Sequence, residues 1–392
     1  MSATSLENTY LGMSETPAVQ VRRAKGDFVY DRRGKKYIDF VMGWCVGNFG
    51  WGNPQIVAAA ERYDGPDYVY PEYSYAPWGE LARLLASISP GNLTRSFRAT
   101  GGSEAVELAI QAAMLHTGRK KFVALEDSYH GNTIGAMSIA SKENRDKLSN
   151  LLPYCHRIPT PLDDHALDRL QSVLKGRDVA AFIMEPVAMN LGVLIPGKSF
   201  MTEVQQLCRR YGTLLVMDEV ACGFCRTGKV FASEHFDVEP DIMTMGKAIT
   251  GGVAGMGATI MTEEVADSLS EDGNIWSTFG WHPRAVDVAI ATVKYVKRSR
   301  RELLRHAAEL SEYFRTSLSS MSFRGYSAVN ILGLAIYLNV GDEDYAEEIR
   351  KKCQRKGLLL VTQDDGLLLI PAVTVDREVA ARAMDILADS AA

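Results

Sequence analysis

The sequence predicts an α/β fold in which a doubly wound, mostly parallel sheet is accompanied by a smaller α+β domain. From about residue 80 to about residue 261, short apolar runs alternate with segments of helical spacing, which is typical of strand–helix–strand units. At 392 residues the chain is long enough for two domains, or for one large domain with a smaller satellite. The pattern changes after about residue 284, where long helical segments precede short strands.

The first predicted element is a β-hairpin, because residues 28–31 and 34–40 alternate in polarity on either side of a turn. Alternating helices and strands then build the large sheet. Helices are predicted at 103–116, 167–174 and 202–211, and strands at 121–126, 180–184, 213–217, 242–245 and 257–261. Ligands of such sheets bind beyond the carboxyl ends of the strands.

The C-terminal part is predicted to form the smaller domain together with the hairpin. Helices are predicted at 284–297 and 300–318, strands at 332–338 and 358–361, and a last helix from Arg377. We therefore expect residues 1–44 to form an N-terminal segment that packs with the small domain. Residues 45–290 are expected to form the large domain, and residues 291–392 the C-terminal small domain.

Composition argues against several classes of function. The formal net charge is −5 with both signs interspersed, and no basic block suggests a nucleic-acid partner. The first residues lack the features of a signal peptide, and no apolar run reaches the roughly 20 residues that span a bilayer. We therefore expect a cytoplasmic protein without a membrane partner. Cys222 and Cys225 form a C-x-x-C pattern, but no second pair accompanies them, so we expect structural cysteines and no metal site.

An amine and a carboxylate stand at the ends of two predicted buried strands. Lys247 follows the apolar run 242–245, and Asp218 follows the run 214–217. This pairing suits pyridoxal 5'-phosphate (PLP), because a lysine can form a Schiff base with it while an acid keeps its pyridine nitrogen protonated. Glu126 and Glu185 lie at further strand ends of the same sheet.

Two loops could complete such a site. Gly102 and Ser103 open a predicted helix, where free backbone N–H groups suit a phosphate. Tyr129 follows a strand and could stack on a flat ring. Taken singly, these residues also fit an N-capping serine and an ordinary loop tyrosine, just as Lys247 fits a surface lysine and Thr278 a plain loop hydroxyl. The glycine loop does not fit the dinucleotide-binding pattern.

Taken in order, these segments resemble the class III (ω-) aminotransferases, PLP-dependent enzymes of fold type I, the aspartate aminotransferase-like fold. The resemblance runs from about residue 21 to about residue 375. It rests on TGGSEA at 100–105, SYHGNT at 128–133, EPV at 185–187, MDEVACGFCRTG at 217–228, EPDIMTMGKAITGG at 239–252 and STFGWHP at 277–283. It implies that residues 45–290 form a PLP-binding catalytic domain.

The resemblance also implies roles for the matching residues. Lys247 matches the Schiff-base lysine and Asp218 the acid that pairs with the pyridine nitrogen. Gly102 and Ser103 match the phosphate contacts. Thr278 matches the threonine that reaches the phosphate of the other subunit's cofactor, which implies an obligate homodimer.

Four further residues are expected beside the cofactor on the same grounds. Tyr129 matches the aromatic residue that stacks on the ring, and Val220 matches the residue packed behind it. Glu185 matches an acid near the cofactor. His130 lies in the same motif as Tyr129 and is also expected to contact the cofactor.

Within the family, the chain most resembles the amine and ω-amino-acid:pyruvate branch, in which Trp44 would wall the substrate pocket. The glutamate and arginine that recognise α-amino acids in the ornithine, acetylornithine and 4-aminobutyrate types are both replaced, by Asn190 and Leu368. Ala221 stands where many relatives carry glutamine. Trp281 stands where relatives carry a small residue, so we expect it to narrow or cap the pocket. Tyr129 is also expected to form part of the pocket wall.

The expected activity is a two-stage, ping-pong transfer of an amino group from a primary amine or ω-amino compound to an oxo acid, with pyruvate the favoured acceptor. Two alternatives remain open. A glutamate-1-semialdehyde-type aminomutase is suggested by the string at 185–190, including its asparagine. A nicotinamide-dependent oxidoreductase could use a similar sheet, and would carry a dinucleotide instead of PLP.

Overall fold

The computed structural model describes residues 19–140, 147–270, 275–325 and 327–392. Part of the expected N-terminal segment, residues 1–18, therefore lies outside the described residues. The strands are β1 (Val21–Lys25), β2 (Phe28–Asp31), β3 (Lys36–Asp39), β4 (Leu93–Ala99), β5 (Lys121–Leu125), β6 (Cys155–Ile158), β7 (Val179–Met184), β8 (Leu214–Asp218), β9 (Ile242–Met245), β10 (Gly257–Thr262), β11 (Ala328–Leu332), β12 (Ala335–Asn339), β13 (Leu358–Leu359), β14 (Val361–Gln363) and β15 (Gly366–Leu369).

Helices cover the strands and connect them. They are α1 (Pro54–Glu61), α2 (Ala76–Ala86), α3 (Gly102–Thr117), α4 (Ile134–Ile139), α5 (Asp164–Leu174), α6 (Lys198–Tyr211), α7 (Glu263–Ser270), α8 (Pro283–Ser319), α9 (Glu343–Lys356) and α10 (Arg377–Ala391). Single helical turns lie at Met42–Cys45, Ala232–His235 and Lys247–Thr250.

The large sheet has seven strands in the order β4-β10-β9-β8-β7-β5-β6. Neighbours from β9 to β6 are parallel, and β10 alone runs antiparallel to both of its partners. Every residue of β7, β8 and β9 is buried, as expected for parallel strands covered by helices on both faces. The prediction of a mostly parallel α/β sheet is confirmed, and β5, β7, β8 and β9 end at one edge.

The N-terminal hairpin pairs with the C-terminal part of the chain. The predicted hairpin is β2–β3, and β3 pairs in parallel with β13, with Leu358 opposite Ile38. A third sheet has the order β11-β12-β15-β14. The hairpin thus pairs with a C-terminal strand, while the division of the chain into domains at residues 44 and 290 stays a prediction.

Two C-terminal elements differ from the sequence-based expectation. The helices predicted at 284–297 and 300–318 form one helix, α8, because buried Val296 and Leu303 continue one face across the charged stretch between them. The strand predicted at 332–338 is two strands, β11 and β12, joined at Gly333. This glycine has φ +57°, and a Cβ there would lie 2.2 Å from the backbone of Thr227.

The sequence analysis did not identify strands β1, β4, β6 and β15 or helices α1, α2, α4, α7 and α9. Among the described residues, no helix combines the length and the apolar character needed to cross a membrane. The cytoplasmic location stays a prediction.

Asp27, in the turn between β1 and β2, is expected to make stability depend on pH. Burial raises the pKa of its carboxyl from 3.8 to about 6, although a hydrogen bond from the backbone N–H of Asp376 lowers the pKa in part. Because the pKa of Asp27 is higher in the folded state, its protonated carboxyl contributes fully to the free energy of unfolding below about pH 4. This stabilisation is lost as the pH rises through 6, which lowers the free energy of unfolding by up to about 3 kcal/mol.

Urea unfolding at pH 4.5 and pH 7.5 tests this expectation. The Asp27→Asn chain should lose less stability between the two pH values than the parent chain, and Asp67→Asn, at an exposed position, should behave like the parent. Equal losses in all three chains would contradict the assignment to Asp27.

Candidate active site

A cavity of about 930 Å³ opens at the carboxyl ends of β5, β7, β8 and β9. This is the edge where a doubly wound sheet places its ligands. Nine of the residues predicted for the site line it, namely Trp44, Gly102, Ser103, Tyr129, His130, Glu185, Asp218, Val220 and Lys247.

Asp218, at the end of β8, is a buried carboxylate with hydrogen bonds at both oxygens. Its Oδ1 accepts from the backbone N–H of Val220 and from the Thr244 hydroxyl, both at 3.0 Å. Its Oδ2 lies 2.7 Å from Nδ1 of His130. These bonds offset the cost of burying the acid and fix its orientation.

His130 extends this network toward the cavity. Its ring is buried, and Nδ1 is engaged by Asp218 while Nε2 has no hydrogen-bond partner among the described residues. A buried polar atom without a partner is uncommon in folded proteins. His130 is one of the residues that line the cavity.

Lys247 lies two residues beyond the end of β9 and lines the same cavity as Asp218, because β8 and β9 are neighbours. The lysine has φ +46°, a left-handed conformation that costs free energy for a residue other than glycine. Such strain concentrates at functional sites. Gly246 allows this approach, since a Cβ there would come within 3.2 Å of the backbone of Gly102.

The start of α3 forms a close-packed cradle at the same edge. A Cβ on Gly102 would lie 2.8 Å from the Val220 side chain, and one on Gly131, at φ +129°, would lie 2.5 Å from the Ser103 hydroxyl. That hydroxyl accepts from the backbone N–H of Asn132 at 3.2 Å. Helix N–H groups that lack intrahelical partners therefore face a site narrowed to fit an anion.

Glu185 brings a second carboxyl into the cavity from the end of β7. Burial, and then the charge of Asp218, raise the pKa of this carboxyl well above its usual range, although Lys247 opposes the shift. Glu185 accepts from the backbone N–H of Met189 at 3.4 Å, so its carboxyl is held less closely by hydrogen bonds than that of Asp218.

Glu219, next to Asp218, does not belong to the cavity lining. Its carboxylate accepts from the backbone N–H groups of Ala232 and Ser233, at 2.9 and 2.8 Å, and from the Ser233 hydroxyl at 2.8 Å. It therefore anchors the helical turn Ala232–His235. Of these two adjacent acids, Asp218 lines the cavity, whereas Glu219 stabilises a neighbouring turn.

Three loops meet at the outer part of the cavity. The side-chain amide of Asn190 donates to the backbone oxygen of Asp127 at 2.9 Å, and that of Gln363 donates to the backbone oxygen of Asn190. Gln363 belongs to β14, so this bridge joins the C-terminal sheet to the loops after β5 and β7. Asp127 and Asp364 also line the cavity.

Two predicted site residues lie elsewhere. Trp281 is 2% exposed and packs in the hydrophobic core, where its Nε1 donates to the backbone oxygen of Gly257 at 2.9 Å. The expectation that it narrows or caps the pocket is therefore corrected. Thr278 is exposed and outside the cavity lining of its own chain.

Sequence reasoning did not single out Thr244, which is buried and holds Asp218. The one available signal was a hydroxyl residue inside the otherwise apolar strand β9. Asp127, Gln363 and Asp364 were also missed, since each follows or interrupts a strand without a motif of its own.

The sheet order, with a lysine and an aspartate at the ends of neighbouring strands, defines the class of PLP-dependent enzymes of fold type I. The family model for aminotransferase class-III matches residues 10–390, so the chain belongs to the class III aminotransferases. It is accordingly a PLP-dependent aminotransferase, and the alternative of a nicotinamide-dependent oxidoreductase is set aside.

Similar proteins agree with this assignment. The chain is 34% identical over 373 residues to an acetylornithine aminotransferase of Archaeoglobus fulgidus, with 94% of each chain covered. It is 32% identical over 381 residues to a putrescine aminotransferase of Pectobacterium atrosepticum, covering 94% of this chain and 81% of the relative. The structure of a taurine:2-oxoglutarate aminotransferase from Bifidobacterium kashiwanohense, in complex with PLP and glutamate, superposes with a TM-score of 0.93 at 26% identity, covering 99% and 96%.

Replacing Gly102 by alanine is expected to weaken PLP binding by about tenfold or more, because the new methyl group would overpack against Val220. Gly101→Ala is the matched control, since a Cβ there meets nothing within 4 Å. Titration of the cofactor-free chains with PLP measures both. Similar affinities for the two variants would contradict this picture of the cradle.

Proposed function

We propose that this chain transfers an amino group from a primary amine or ω-amino compound to an oxo acid, with pyruvate as the acceptor, in a two-stage ping-pong reaction. The observation that carries the proposal is the placement of Lys247 and Asp218 at the ends of two hydrogen-bonded strands, β9 and β8, on one cavity. When bound, PLP supplies an electron sink for negative charge that develops on the substrate carbon.

The two residues have different tasks. Lys247 would hold the cofactor through its Nζ, and the same Nζ would carry a proton away from the substrate carbon. Asp218 would keep the pyridine nitrogen protonated, and the three hydrogen bonds to its oxygens hold it in place for this purpose.

The remaining lining residues orient the reacting groups. The amides at Gly102 and Ser103 would hold the phosphate at the start of α3. Tyr129 and Val220, which line the cavity, would contact the ring, and His130 fixes Asp218 through Nδ1. Glu185 adds a further carboxyl to the cavity, and burial raises its pKa.

The charges of the cavity wall support an amine donor. Among the lining residues the structure describes, Asp127 and Asp364 add carboxylates at the outer part and no arginine is present. Asn190 lines the cavity in place of the switch glutamate, while Leu368 is buried in β15. Carboxylates in the wall without an arginine favour the binding of a substrate ammonium group over the binding of a distal substrate carboxylate. The named activity of the putrescine aminotransferase relative is in line with such a donor.

A half-reaction experiment tests the proposal. The PLP-loaded chain mixed with butylamine, without an oxo acid, should release one equivalent of aldehyde per site, and later addition of pyruvate should yield alanine. Lys247→Ala should slow the first stage by on the order of 100-fold or more, because proton transfer loses its base.

The control is Lys175→Ala, which removes an exposed lysine far from the cavity and should leave both stages unchanged. Normal turnover of Lys247→Ala would refute the assignment. An aminomutase, the second candidate suggested by Asn190 in the cavity, would convert its own amino-aldehyde substrate with no separate oxo acid.

We also propose that the enzyme is a homodimer in which Thr278 completes the phosphate site of the partner copy. Thr278 is exposed and lies outside the cavity of its own chain, close to exposed Trp276 and Phe279. An exposed apolar group of this kind is typical of a surface that another chain covers.

Thr278→Ala is expected to weaken PLP binding by about tenfold through loss of a hydrogen bond to a charged group, with the dimer retained. Thr278→Ser keeps the hydroxyl and should bind PLP like the parent chain. Sedimentation and PLP titration measure the two properties. A monomeric parent, or equal PLP affinities for all three chains, would contradict the proposal.

A further inference from the structure

The short turn that carries Trp44 into the cavity has an unusual backbone. Met42, Gly43, Trp44 and Cys45 have φ of +44°, +60°, +57° and +67°, so four consecutive residues are left-handed. Residues other than glycine visit this region singly, because the Cβ approaches the following carbonyl oxygen. A run of this kind persists only where its surroundings determine it.

The buried carboxylate of Asp39, at the end of β3, holds the start of this turn. Its Oδ1 accepts from the backbone N–H groups of Val41 and Met42 at 2.9 and 3.0 Å. Its Oδ2 accepts from Nε1 of Trp51 at 2.8 Å. Asp39 is 4% exposed, so these bonds form away from water, where they are strong.

The other side of the turn is packed tightly. The ring of Trp51 lies against Gly43, where a Cβ would come within 3.2 Å of it. The backbone N–H groups of Val46 and Gly47 both donate to the oxygen of Met42, at 3.0 and 2.9 Å. The Trp51 ring and these two hydrogen bonds therefore constrain the turn.

The chain after the turn is fixed by a buried guanidinium. Arg226 donates to Oδ1 of Asn48 at 2.6 Å and to the backbone oxygens of Leu334 and Pro371. Asn48 in turn donates to the backbone oxygens of Gly223 and Phe224. The turn is thus clamped between Asp39 on one side and Arg226 on the other.

Trp44 is the residue of the turn that reaches the cavity. It lines the wall, whereas Met42 and Cys45 are buried in the core. In a left-handed turn the side chains leave the backbone in directions that a right-handed turn cannot reproduce. The orientation of the Trp44 ring therefore depends on the handedness of residues 42–45.

We propose that Asp39 is a positioning residue that sets substrate specificity through Trp44, by holding residues 42–45 in the left-handed conformation. This rests on the proposed function in that the donor amine enters beside Trp44. Asp39 itself is not among the residues that line the cavity. Its effect on the reaction passes through one side chain.

The first test concerns the position of Trp44 and needs no substrate. The emission of Trp44 is obtained as the difference between the parent chain and Trp44→Phe, and again between Asp39→Asn and the Asp39→Asn/Trp44→Phe chain. Asparagine keeps the shape of aspartate but loses acceptor capacity. We expect acrylamide to quench the Trp44 component more strongly when Asp39 is replaced.

The second test is a double-mutant cycle on specificity. The ratio of kcat/KM for benzylamine to kcat/KM for butylamine should change by about tenfold in Asp39→Asn, and should not change when the same substitution is made in Trp44→Ala. Asp31→Asn is the matched control, since Asp31 also accepts two backbone N–H groups in a turn, far from the cavity.

Trp51→Phe is the second variant should Asp39→Asn fail to fold, because it removes the donor to Oδ2 of Asp39 and part of the ring beside Gly43 but keeps the Asp39 carboxylate. It should shift quenching and the ratio in the same direction. Unchanged quenching, or an equal shift of the ratio with and without Trp44, would overturn the proposal. If the parent chain turns over neither amine, the proposed donor class fails, while the quenching result still decides the role of Asp39.

Discussion

The buried carboxylate of Asp218 is the constraint on which the site depends. It lies at the end of β8. Its oxygens accept hydrogen bonds from the backbone N–H of Val220 in the following loop and from the Thr244 hydroxyl on β9, and they contact the His130 ring from the loop after β5. A buried acid is costly unless its oxygens are satisfied, so these segments must meet at one point. Lys247 follows Thr244 by three residues and is delivered beside Asp218 by the same register.

Close contacts between backbone segments also hold the site together. Gly102, Gly131 and Gly246 bring the start of α3 and two loops together at distances that a Cβ would prevent. The cavity is therefore built from rigid strand ends and tight glycine contacts, which is a good basis for holding a cofactor in one orientation. In the proposed function, substrate selection falls to the part of the wall formed by Trp44 and by the loops that carry Asp127 and Asp364.

The sequence predicted the parts of the site that follow apolar strands, because such runs locate the strand ends where Asp218 and Lys247 lie. It did not predict the place of Trp281, whose bond to Gly257 joins residues far apart along the chain. Nor did it predict the left-handed turn at 42–45. Methionine, tryptophan and cysteine have no local preference for positive φ, and the turn is fixed by long-range contacts.

The bridge from Gln363 through Asn190 to Asp127 ties the rim of the active site to the far end of the chain. The β14–β15 hairpin of the C-terminal sheet thus forms part of the rim of the cavity. A change in the length of that hairpin would alter the rim and leave Lys247, Asp218 and the close glycine contacts unchanged. In this architecture, the rim of the cavity can vary in sequence without disturbing the residues that would hold the cofactor.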